Sequence, residues 1–120
     1  MDVAPQPGRE HADPGALVDR ERVRSLREAY AEIAGPLVDL FEQTATDTLA
    51  ELRTALATGD EASAARLAHR LKGSARNVGA IAVAERSAAA EHGGRAAREA
   101  LVALEASLAP TCAALRAAFA

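Results

Sequence analysis

Leu101, Leu104, Leu108, Cys112, Leu115 and Phe119 recur at three- and four-residue spacing through the last part of the chain. A helix turns about 100° per residue, so these side chains gather into one long apolar stripe. Pro110 falls inside the run, yet the register continues beyond it, which favours one kinked helix over two separate ones. Such a stripe can be hidden against other helices or against a sheet. Strands find little material here, because aromatic residues make up only 2% of the chain and β-branched runs are few. Apolar residues nevertheless reach 49%, so alanine and leucine must fill the core, and alanine is the best helix former. The expected fold class is therefore all-α: an antiparallel four-helix bundle with an additional short N-terminal helix. At 120 residues the chain suits a single domain with one core.

Punctuation in the sequence divides it. Pro5, Pro7, Gly8, Pro14 and Gly15 recur among polar residues, so residues 1–17 are expected to be a flexible tail and 18–120 the helical domain. Asp19 is a plausible N-cap for a helix carrying Val23, Leu26 and Tyr30 and ending near Ile33. Gly35-Pro36 breaks and restarts the chain, with the proline suited to a first helical turn. Leu37, Leu40, Phe41, Thr44, Thr48, Leu52 and Leu56 form the next stripe. Thr58-Gly59-Asp60 has the pattern of a tight turn, glycine ending one helix and aspartate capping the next. That next helix extends to about Val78, where Gly79 either ends it or permits a bend. A further helix covers Ala80 to Glu91, and His92-Gly93-Gly94 is the following break.

Several function classes are disfavoured. A net charge of −3, with no basic run or aromatic platform, argues against nucleic-acid binding. Cys112 is the single cysteine, so neither a disulfide framework nor a cysteine-rich zinc site can form. Its register with Leu108 and Leu115 makes it a buried thiol. The three histidines, His11, His69 and His92, share no ligand spacing. No glycine-rich phosphate cradle is present to bind ATP. The start lacks a signal peptide's pattern, and no stretch approaches the ~20 apolar residues of a membrane span. The cytoplasm is the expected compartment.

One segment carries chemistry: His69-Arg70-Leu71-Lys72-Gly73-Ser74-Ala75, closing at Gly79-Ala80. Leu67, Leu71 and Val78 project to one side of its helix, and His69 projects nearly opposite them. Ala62, Ala65, Arg66, Lys72, Gly73 and Arg76 are its neighbours on that outer side. The histidine is thus turned to solvent in a basic setting.

The motif resembles that of the histidine-containing phosphotransfer (HPt) domains of multistep phosphorelays, which place their phosphoryl-accepting histidine in a segment of the form His-x-Leu-Lys-Gly-Ser-Ser/Ala. The resemblance runs from about Val18 to Phe119, taking in Leu40-Phe41, the Thr58-Gly59-Asp60 turn and Glu91. It implies a carrier that takes a phosphoryl group from the aspartate of one receiver domain and gives it to another through reversible phosphorylation of His69, with no ATP-dependent kinase activity of its own. Histidine suits the task, since its usual pKa of about 6.5 leaves a large neutral, nucleophilic fraction. Transfer passes through a loose transition state, so positioning and charge stabilisation carry most of the work.

In that reading Lys72 stabilises the phosphoryl oxygens and biases His69 toward its neutral form. Gly73 projects about 40° from His69 and clears space for an incoming loop, a close helix crossing being the alternative. Ala62, Ala65, Arg66, Arg70, Arg76 and Glu91 form the docking surface. The implied partners are receiver domains, of response regulators or of a hybrid sensor histidine kinase. The chain itself needs no cofactor, the Mg²⁺ for transfer sitting in the receiver, and it is expected to be a monomer. The rival reading is an HPt-like module that binds and sequesters a receiver without chemistry.

Overall fold

The computed structural model describes residues 16–120; most of the expected tail, with His11, lies outside them. Helix α1 (Arg20–Tyr30) begins where its cap predicts, the Asp19 carboxylate accepting from the Arg22 N–H at 3.1 Å. A 3₁₀ turn (Ala31–Ile33) leads into α2 (Ala34–Thr58), with Pro36 in its first turn. Gly59 closes α2 in the left-handed conformation (φ 76°), and Asp60 caps α3 (Glu61–Val78) by accepting from the Ser63 N–H. Gly79, at φ 83°, ends α3 outright, so of the two roles open to it the structure selects termination. Helix α4 (Ile81–Ala90) follows. The Gly93-Gly94 break then releases α5 (Gly94–Phe119), which runs unbroken past Pro110.

Helices α2 to α5 pack in a closed ring, α2 on α3, α3 on α4, α4 on α5 and α5 back on α2. Arg116 of α5 binds Asp39 and Glu42 near the start of α2, and Arg53, farther along α2, meets Glu105, earlier in α5. This reversed pairing makes the two long helices antiparallel. Helix α1 covers one end of the ring, touching α3 and α5. The Asp19 N–H donates to the Gly79 carbonyl and the Ala82 N–H to that of Leu17, tying the domain's first residues to the α3–α4 junction.

The stripe of α5 is buried as expected through Leu115, with Phe119 half-buried against it. Burial pushes the Cys112 thiol up to about 11. Two stripes differ from expectation. On α1, Val23 and Leu26 are buried but Tyr30 is 53% exposed. On α2 the buried face is Ala34, Val38, Phe41, Ala45, Thr48, Leu49, Leu52 and Ala55, leaving Leu40 63% exposed and Thr44 on the surface. The real face is turned by roughly 40° from the one drawn through the larger side chains. Alanine supplies much of the contact, so the largest residues are poor guides to it. The expectation that no segment matches a membrane span in apolar length also needs correction: α5 has an 18-residue window of mean hydropathy 1.3. That helix buries its apolar side against α2 and α4.

Candidate functional site

Alanines set the spacing between α3 and α4. Ala68 of α3 and Ala90 of α4 are fully buried and belong to one cluster with Ala97 and Ala100 of α5. A methyl group is the smallest side chain that still packs, so the helices approach closely here. His69 follows Ala68 and Glu91 follows Ala90, which brings these next residues together at the rim of the same contact. His69 Nδ1 lies 2.8 Å from the Glu91 carboxylate, across 22 residues of sequence.

A carboxylate can only accept, so Nδ1 of a neutral His69 carries the ring proton and Nε2 bears the lone pair. The side chain of His69 is 75% exposed, that of Glu91 only 26%. Lys72, one turn after His69, places Nζ 3.0 Å from the same carboxylate and is itself mostly covered, its side chain 16% exposed. Glu91 therefore holds both groups. The Lys72 hydrogen bond, followed by that of His69, keeps the Glu91 carboxyl below the usual range against the opposing effect of burial. It stays ionised at neutral pH.

The remaining expected site residues fall where the helix wheel puts them. Ala62, Arg66 and Arg76 are exposed on the outer face and Ala65 is half-buried. Arg66 donates to Ser63 Oγ at 3.1 Å, while Arg70 reaches across to Glu51 of α2 at 3.3 Å. Gly73 is exposed, and a Cβ placed on it would meet nothing within 4 Å. A close helix crossing is thus removed as its explanation. Glu91, expected among the docking residues, instead turns its carboxylate onto His69 and Lys72. Lys72, expected to bias His69 toward its neutral form, is paired with that same carboxylate.

Sequence reasoning named all of these residues but missed the Glu91–His69 bond. Its signal was the matched Ala-His and Ala-Glu pairs, legible only once α3 and α4 are known to pack. Among the described residues no group of three or more His, Cys, Asp or Glu side chains could hold a metal ion.

No curated protein and no solved structure matches the chain. A family model described as the Hpt domain matches residues 36–118, from the first turn of α2 to the end of α5. This span covers more than half of the chain and includes every residue of the site. An all-helical bundle with a solvent-facing histidine on its second long helix, matched over that span, belongs to the Hpt family of histidine phosphotransfer modules, which work with receiver domains in phosphorelays.

Proposed function

We propose that the protein carries a phosphoryl group on Nε2 of His69, receiving it from the phosphoaspartate of one receiver domain and passing it to the aspartate of another. The observation that carries this reading is the Glu91–His69 bond: it fixes the tautomer and leaves the lone pair on the exposed nitrogen. In the forward step that lone pair attacks phosphorus while the aspartyl oxygen leaves with the bonding pair. Lys72, held against the same carboxylate, supplies positive charge beside the reacting oxygens.

The empty space around Gly73 leaves room for the partner's active-site loop. Ala62 and Ala65 would offer a flat docking surface, with Arg66, Arg70 and Arg76 facing an acidic partner. The Mg²⁺ belongs to the receiver in this scheme, the working unit is one chain, and the compartment is the cytoplasm.

Incubation with a phosphorylated receiver and Mg²⁺, followed by mass spectrometry at neutral or alkaline pH, tests the reading. One acid-labile phosphoryl group on His69, absent from the His69→Gln variant, is the expected result. Measurable binding without transfer, across a broad panel of receivers, would identify a sequestering module instead.

A further inference from the structure

Neutral imidazole has one protonated and one bare nitrogen. When the bare nitrogen takes a phosphoryl group, its lone pair becomes the N–P bond and the donor's P–O pair returns to the donor carboxylate. The ring is left cationic, with a proton still on the other nitrogen. Should that proton escape to solvent, the product is a neutral phosphoimidazole, and onward transfer would have to expel imidazolate, a poor leaving group. Should it stay, onward transfer expels neutral imidazole. The acceptor oxygen then bonds to phosphorus and the N–P pair returns to nitrogen. The fate of one proton decides whether the phosphoryl group is stored or poised.

At this site the proton in question sits on Nδ1, 2.8 Å from Glu91. Lys72 and His69 are the charged groups that act on that carboxylate. The other charges nearby are directed elsewhere. On α3, Arg66 is turned to Ser63 and Arg70 to Glu51 of α2, while Arg76 lies one turn beyond Lys72. His92 is exposed in the link to α5, and Arg95, the first charged residue of α5, pairs with Glu99.

We propose that Glu91 is a positioning residue that retains the Nδ1 proton of phosphorylated His69, so that the phosphoryl group moves on and off without a proton entering or leaving the site. The proposal rests on the reading of His69 as a phosphoryl carrier. The anionic carboxylate stabilises the cationic phosphoimidazolium directly. An amide at the same place could turn its N–H toward a bare Nδ1 and stabilise the deprotonated, inert form. Residue 91 thereby sets the lifetime of the phosphorylated state as well as the aim of the ring.

The test uses the full chain and its Glu91→Gln variant, each phosphorylated with potassium phosphoramidate, a small donor that needs no receiver. Phosphorus NMR then follows the phosphohistidine resonance, and its hydrolysis is timed, from about pH 6 to about pH 10. The expected midpoint is at least about one pH unit higher in the wild type, the smaller end of what an opposite charge at this range produces. At alkaline pH above both midpoints, a difference of one unit corresponds to hydrolysis up to about tenfold faster in the wild type than in the variant. Coincident midpoints and rates overturn the proposal and leave the carrier reading standing. No phosphoryl group on His69 in either protein sinks both. Glu91→Ala, run in parallel, should share the lowered midpoint, and a wild-type midpoint there counts equally against the proposal.

Discussion

Gly73 and Gly79 belong to the same short motif and have opposite surroundings. A side chain on Gly73 would meet open space, whereas one on Gly79 would lie 3.1 Å from Val23 Cγ2 and 3.3 Å from the Asp19 carbonyl, at a backbone φ of 83°. Nothing inside the molecule requires the first glycine; both the turn and the seating of α1 require the second. The contrast extends to the two faces of α3. Ala64, Ala68, Leu71 and Ala75 face the core, while His69 and Gly73 face solvent. The inner residues answer to stability and the outer ones to whatever docks.

Substitutions can break that division in order of expected effect. Leu71→Asp should abolish folding, because it buries a charge where Leu71 is fully enclosed, at a cost of several kcal/mol. A cooperative thermal transition in that variant would show the faces of α3 to be wrongly assigned. Gly79→Ala should lose about 1–3 kcal/mol through the left-handed backbone and the Val23 contact. Denaturant titration measures it, and wild-type stability would erase the contrast between the glycines.

Gly73→Ala should instead gain up to about 1 kcal/mol from helix propensity. Its bulkier counterpart, Gly73→Leu, should stay folded yet fail to accept phosphoryl groups from a receiver. Normal transfer by Gly73→Leu would remove the clearance role. The smallest effect on stability belongs to His69→Gln, within about 0.5 kcal/mol of the wild type. A larger loss would mean that the His69–Glu91 bond contributes to the fold and not only to the site.

What could be read from the sequence tracks the kind of signal each region sends. The start of α3 was legible because Gly59 followed by Asp60 has few other uses in that arrangement, whereas Gly79 suited a helix end and a bend alike until the packing of α1 against it was known. The stripe of α5 was legible because leucines mark it. That of α2 was not: Ala45 and Ala55 are buried in the core alongside Leu52, but alanine is equally at home on a surface. At the site, the outward aim of His69 followed from helical geometry alone. The inward turn of Glu91 did not, since it depends on how two helices separated by a loop come to rest against each other.

The alanines behind His69 and Glu91 make this pairing vulnerable in one direction only. Ala68, Ala90, Ala97 and Ala100 have almost nothing left to lose, so a random change at any of them adds bulk far more often than it removes it. Added bulk forces helices apart, and a separation of about 1 Å is enough to end a hydrogen bond. A drifting sequence could therefore keep every residue of the motif, still fold as a bundle, and yet be silenced by a methyl group placed out of sight behind the histidine.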